Sequence, residues 1–173
     1  MSTGAEHDMN ERFLAAYDTH ADGLFRFVSF KLSDREMALD LVQETFTRLW
    51  DTMRSGTVVE NEKAFLFTIA RRLVIDRYRA RRASSLDALQ EEYGFDPIDE
   101  IESPPERLAE QKEAVALIRK LPETYQEVLL LRYVEGLEPR DIARVVGDSA
   151  NAVTVRLHRG LEKLRTLMHE NTP

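Results

Sequence analysis

The 173-residue chain contains no cysteine. Disulfides and thiolate zinc sites are therefore excluded, which suits a reducing compartment. Glycine and proline are sparse, seven and six residues, so breaks in regular structure fall at few places. No apolar run approaches the roughly 18 residues needed to cross a bilayer. The first residues, MSTGAEHDMNER, lack the basic-then-apolar pattern of a secretory signal. The expectation is a soluble, cytoplasmic protein with no direct membrane insertion. Enzymatic signatures are missing too: there is no glycine-rich phosphate loop, no HExxH and no nucleophile elbow. The four histidines, His7, His20, His158 and His169, are scattered. His158, beside Arg159, reads as a phosphate contact or a surface residue. No catalytic residue, metal set or cofactor is expected.

What is abundant is charge, 32% of residues, with a formal net of -7. It is unevenly placed. Residues 1–82 hold 13 basic and 13 acidic side chains, residues 83–106 hold eight acidic and no basic ones, and residues 107–173 hold 11 and 10. The acidity thus belongs to the middle stretch, ASSLDALQEEYGFDPIDEIESPPE. Gly94, Pro97, Pro104 and Pro105 among its carboxylates read as a linker, with one helical turn near Leu86 to Leu89. Asp96, Asp99, Glu100 and Glu102 lack the glycine and ligand spacing of a calcium loop and read as a solvated spacer. Attraction to phosphate depends on patches within about a Debye length, roughly 8 Å at physiological salt. An acidic total is therefore no bar to nucleic-acid binding by either flanking block.

Periodicity predicts helices throughout both blocks and no strand: an all-α protein of two small bundles, residues 10–82 and 107–169, joined by the linker at 83–106. In the first block Phe13, Leu14, Tyr17, Leu24, Phe25, Val28 and Leu32 recur at helical spacing, with a break expected near Ala21 to Gly23. Ser33 with Glu36 fits a capping box for a second helix running to about Met53, with Met37, Leu41, Phe46, Leu49 and Met53 near one face. Ser55-Gly56 ends it. Asn61 can cap a third helix through Arg82, with Leu66, Ile69, Ala70 and Leu73 inward. In the second block Leu108, Val115, Ile118 and Leu121 mark a helix ending at Pro122, which then opens the next one, to about Val134. Gly136 stops that helix, Pro139 starts a short one to Val146, and Gly147-Asp148-Ser149 turns into a last helix to about Met168.

Three constellations carry chemistry. In the last helix Val153, Leu157, Leu161, Leu164 and Met168 form an inward stripe, and Ala152, Val155, Arg156, Arg159 and Lys163 gather opposite. A short helix, a glycine turn and a basic-faced helix are what insertion into a major groove requires. Arg156 or Arg159 suits a bidentate guanine contact, and Val155 a thymine methyl; an ordinary solvated basic face reads similarly. The second is TIARRLVIDRYRARR, residues 68 to 82. Arg71, Arg72, Ile75, Arg79 and Arg82 share a face, and six arginines against one Asp between 71 and 82 suit a phosphate backbone. Trp50, Phe65, Phe67 and Tyr78 are candidates for stacking on unpaired bases, Tyr78 being the best placed for exposure; core packing is the alternative for each. The third is DLVQETFTRLW, residues 40 to 50, where Asp40, Gln43, Glu44, Thr47 and Arg48 form a polar face for a partner helix or for water.

Together these segments resemble an extracytoplasmic-function sigma factor of bacterial RNA polymerase. DLVQETF with Leu49-Trp50 resembles the core-binding segment of sigma region two, and AFLFTIARRLVIDRYR, residues 64 to 79, its promoter-melting segment. Leu121-Pro122-Glu123, EVLLLRYVEGL (127 to 137), Ile142-Ala143 and Val153 to Arg165 resemble region four. The resemblance implies that Asp40, Gln43, Glu44 and Arg48 bind the clamp of the largest polymerase subunit, and that region four meets the flap of the second largest. It implies that Arg71, Arg72, Arg79 and Arg82, with the loop from Arg54 to Asn61, act on the minus-ten element. Asn151, Thr154, Val155, Arg156, Arg159 and Lys163 would then lie on the minus-thirty-five element. It also implies an anti-sigma factor as a partner, and a role as its decoy is the alternative to directing transcription. The chain departs from the family pattern in two places. Met37-Ala38-Leu39 stands where two further acids usually precede Leu41, and Asn151-Ala152 and Thr154-Val155 replace a usual Gly-Thr and Lys-Ser. A phosphate on Thr45 or Thr47 would restore negative charge near the clamp face.

Overall fold

The computed structural model describes residues 2–84 and 105–170, which form seven helices and, among the described residues, no strand. They are α1 (Ser2–Lys31), α2 (Arg35–Arg54), α3 (Glu62–Ser84), α4 (Pro105–Arg119), α5 (Glu123–Leu129), α6 (Pro139–Val146) and α7 (Ala150–Glu170). Two compact units divide the chain between Asp99 and Glu100. The linker's expected helical turn and its cluster of carboxylates lie outside the described residues.

In the first lobe α1, α2 and α3 each pack on the other two. The buried centre is Leu24, Phe27 and Val28 of α1, Leu41, Phe46 and Leu49 of α2, and Leu66, Phe67 and Ala70 of α3. Phe27 and Phe67 meet edge to face, their ring centroids 5.4 Å apart. The break expected near Gly23 does not occur: α1 is continuous. A helical glycine costs about 1 kcal/mol relative to alanine, whereas burying Leu24, Phe27 and Val28 just after it contributes roughly 1.5–3 kcal/mol each. Burial wins. Of the apolar residues that recur at helical spacing, Leu14 and Tyr17 are 59% and 47% exposed.

The start of α2 also differs from expectation. Asp34, not Ser33, is the N-cap, its Oδ1 accepting the Met37 N–H at 3.0 Å. The third helical position is then Met37, so Glu36 stands one place too early to close a capping box. Burial of Leu32 and Ala38 on either side fixes this register. Asn61 caps α3 as expected, accepting the Ala64 N–H at 2.9 Å.

In the second lobe α7 packs on α5 and α6, and α4 on α5. Ile118, Leu121, Val128, Leu129, Leu130, Leu131, Ile142, Val153 and Leu157 are its buried centre. Pro122 immediately precedes α5, and α5 continues as a wider π-helical turn over Leu130–Val134. There Glu135 N–H reaches the Leu130 carbonyl at 3.0 Å, five residues back. Gly136, at φ 73°, ends the turn, and Gly147, at φ 72°, ends α6.

Gly160 sits where α7 crosses α5. A β-carbon there would stand 2.9 Å from Leu129 Cδ1 and 3.3 Å from Tyr125 Cβ. Leu129 is wholly buried and has little room to yield. Overpacking costs about 1–3 kcal/mol and outweighs the roughly 1 kcal/mol that alanine gains in helix propensity. Gly160→Ala is expected to lower the melting temperature of the second lobe by several degrees in a calorimetric scan. An unchanged or raised transition would mean the two helices part freely.

Candidate nucleic-acid interfaces and docking face

The second lobe holds a complete helix-turn-helix, α6, the turn at Gly147 to Ser149, and α7. Pro139 opens α6 at its first position. Ser149 Oγ accepts the Ala152 N–H at 3.1 Å and so caps α7. Val153 and Leu157 are buried, Leu161 and Leu164 half-buried, and Met168 50% exposed, so the inward stripe loosens toward the end of the helix. On the other side Asn151, Thr154, Arg159 and Lys163 are exposed, and Val155 is 41% exposed with no core to fill. Thr154 donates its hydroxyl to the Ala150 carbonyl at 2.9 Å. Lys163 Nζ stands over the Tyr125 ring, 5.9 Å from its centroid. Arg156 is half-buried, and its Nη2 donates to Asp148 Oδ2 in the turn. His158 is exposed, with Nε2 3.4 Å from Glu162.

On α3, Leu66, Phe67, Ile69, Ala70, Leu73 and Val74 face the core, while Arg72, Arg79 and Arg82 are exposed and Arg71 and Ile75 are half-buried at the edge. Of the stacking candidates, Phe67 is a core residue, and Trp50 is half-buried against Phe13, their centroids 5.0 Å apart. Tyr78 is half-buried rather than exposed: its hydroxyl donates to the Lys31 carbonyl at the end of α1. Phe65 is half-buried. In the loop before α3, Val58 is 76% exposed, the most among the large apolar side chains of the described residues. Arg12 of α1 ties the end of this loop down, its Nη2 2.8 Å from Glu62 Oε1 and 3.5 Å from the Val59 carbonyl.

The face of α2 is as polar as expected. Asp40, Gln43, Glu44, Thr47 and Arg48 are all exposed, and Arg48 pairs with Glu44 at 2.6 Å. Such an exposed pair contributes about 0.3–0.5 kcal/mol and leaves both groups ready for a partner. Leu39, one of the residues standing in place of acids, is 44% exposed beside Asp40. Thr45 is fully buried, its hydroxyl donating to the Leu41 carbonyl at 2.7 Å, so it offers no surface for a phosphate. Thr47 is exposed.

Sequence comparison matches residues 16–84 to Sigma-70 region 2 and residues 111–164 to Sigma-70 region 4. Each match falls within one of the two lobes. The chain belongs to the extracytoplasmic-function sigma factors. It is 27% identical over 165 residues to the sigma factor SigX of Bacillus subtilis, across 92% of this chain and 85% of that one. It is 29% identical over 160 residues to SigL of Mycobacterium tuberculosis, across 90% and 88%. Its fold is that of the sigma factor RpoE, solved with the anti-sigma factor NepR from Bartonella quintana, at a TM-score of 0.67 and 23% identity over 95% of this chain and 99% of that one. CnrH, solved with the cytosolic domain of CnrY, gives 0.63 at 23% identity over 97% and 96%. Proteins of this family are transcription initiation factors.

Sequence reading of this sigma factor missed Asp148, the partner of Arg156, and Arg12, which secures the loop before α3. Neither lies in a periodic stripe or a basic run, so no local signal marks them. It also passed over His20, which is half-buried on α1. Burial, and then the Lys63 ammonium, hold its imidazole below its ordinary pKa, with Glu62 opposing. A histidine with a depressed folded pKa stays neutral while the unfolded chain takes up the proton. The stability it contributes is therefore full above about pH 6.5 and lost as pH falls below that value. The first lobe should melt at progressively lower temperature from pH 7.5 to 5.5, and His20→Gln should flatten that decline. Parallel curves for the two proteins would clear His20 of the effect.

Proposed function

We propose that this sigma factor binds core RNA polymerase and directs promoter-specific initiation, residues 10–82 acting as region two and 107–169 as region four. The observation that carries it is that each lobe turns an arginine-bearing helix face to solvent while the rest of the same helix builds the core. The exposed Asp40, Gln43, Glu44 and Arg48 would engage the clamp of the largest subunit. Arg72, Arg79 and Arg82, with Arg71 at the edge, would hold the phosphate backbone of the minus-ten element as its strands part. The α7 face of Asn151, Thr154, Val155, Arg156, Arg159 and Lys163 would enter the major groove of the minus-thirty-five element, with region four against the flap of the second-largest subunit. The chain would do no covalent chemistry, which belongs to polymerase. An anti-sigma factor is the expected regulator, by likeness to a neighbour solved with one.

One observation favours a second reading. Leu39 presents apolar surface on the clamp-facing helix where an acid is usual. A chain with weakened clamp contact would act as a decoy, occupying an anti-sigma factor without directing transcription. Run-off transcription with core polymerase separates the two. A promoter-specific transcript, mapped by sequencing its 5′ ends, supports the first reading; none at saturating chain leaves the second.

Glu44→Arg is expected to abolish capture of core polymerase in a pull-down, and full retention would move the clamp surface elsewhere. Arg79→Ala is expected to weaken promoter binding by the holoenzyme for all sequences alike and to reduce the log–log salt slope by about 0.7, the value for a separated strand. Arg156→Ala is expected to relax base preference instead. Salt titrations that superimpose on wild type for both variants would remove these roles.

A further inference from the structure

Asp148 has no part in the groove docking proposed for α7, yet it holds one of the docking side chains. Its Oδ1 accepts the Ser149 backbone N–H at 2.8 Å, and its Oδ2 accepts from Arg156 Nη2. The carboxylate is thus anchored to the turn, and the guanidinium, from the second turn of α7, is drawn back to it. The Arg156 side chain is 27% exposed, against an open position for Arg159. We infer that Asp148 is a specificity-determining residue: it withholds Arg156 from phosphate and yields it to a base edge. This rests on α7 entering the major groove.

Magnitudes decide which contact prevails. An exposed ion pair shifts an equilibrium by no more than about fivefold. Neutralising one phosphate contributes a similar factor, about fivefold near 0.15 M salt, through released counterions. The backbone of an arbitrary sequence therefore gains nothing by taking Arg156 from Asp148. A bidentate guanine contact discriminates by roughly five- to 150-fold, enough to capture the guanidinium or to share it. One donor of the five goes to Asp148, which leaves a pair for the base. Arg156 then counts toward the correct sequence and is nearly silent on the wrong one.

The test uses holoenzyme assembled from the full chain and core polymerase. It is bound to the duplex upstream of start sites mapped with wild type, and to a scrambled duplex of equal length, across a salt series. Asp148→Asn removes the charge and keeps an acceptor for Ser149 N–H. It should tighten binding to the scrambled duplex by about fivefold, steepen its log–log salt slope by about 0.9 and lower the ratio of specific to scrambled affinity. Adding Arg156→Ala to Asp148→Asn should cancel the gain, and Asp148→Glu, which keeps the charge, should hold the wild-type slope. Wild-type slope and ratio in Asp148→Asn would overturn the inference and leave groove docking intact. Loss of binding to both duplexes with a lowered melting temperature would also overturn it, giving Asp148 a folding role. A wild-type holoenzyme that initiates correctly yet does not distinguish the duplexes would remove groove docking by α7, and this inference with it.

Discussion

The inner faces of α3 and α7 are the hydrophobic centres of their lobes, and their outer faces carry the arginines. Neither role can move without the other. Successive residues on a helix are 100° apart, so a slip that put Arg72 in the buried place of Leu73 would also carry Val74 out to the half-buried edge where Ile75 stands. Burying an unpaired guanidinium costs several kcal/mol, and exposing a large aliphatic side chain forfeits roughly 1.5–3 kcal/mol more. Leu66, Phe67, Ala70, Leu73 and Val74 all fix the same rotation on α3, as Val153, Leu157 and the close approach at Gly160 do on α7. The bearing of the arginines is therefore set by packing, with far more energy behind it than any exposed ion pair supplies.

This division explains how much was legible beforehand. Helix ends governed by backbone chemistry were read correctly: Pro139 has its missing N–H at a position that needs none, and Gly136 and Gly147 adopt positive φ. Asn61 has a side chain that substitutes for the missing helical acceptor. Gly23 misled because its local cost was weighed without the buried residues that follow it. The cap of α2 was misplaced by one residue because Ser33 and Asp34 are equally good caps by type. Only the burial of Leu32 and Ala38 selects between them. The wider turn at Leu130–Val134 left no trace, since Val128 to Leu131 are apolar in every helical phase and a run without gaps carries no period.

The candidate surfaces divide in the same way. The exposed acids and amide of α2 and the open arginines of α3 and α7 follow from spacing alone. Whether an arginine is open or held depends on contacts that spacing does not encode. Asp148 and Arg156 are eight residues apart across a turn, and Tyr78 and Lys31 are 47 apart across two helices. Thr45 is the instructive exception. It lies four residues after Leu41 and one before Phe46, so its phase on the wheel already places it inside. Its hydroxyl obscured this, although a threonine that donates to the carbonyl four residues back buries no unsatisfied polar group.

Charge placement completes the picture. The first lobe is close to neutral in sum, yet it carries acids on α2 and a concentration of arginines on α3. Packed helix axes stand about 8–10 Å apart, and side chains on outward faces stand further still. That separation matches or exceeds the screening length of roughly 8 Å at physiological salt. Each face therefore presents its own charge to solvent. That of α3 is strongly basic, with six arginines and one Asp between residues 71 and 82, whereas α2, with four acids and three bases, is nearly balanced. At about 0.01 M salt the screening length grows to roughly 30 Å, wider than the lobe's helix spacing, and the charges of the near-neutral lobe are felt together. The local basic patch and the acidic total coexist because salt keeps them apart.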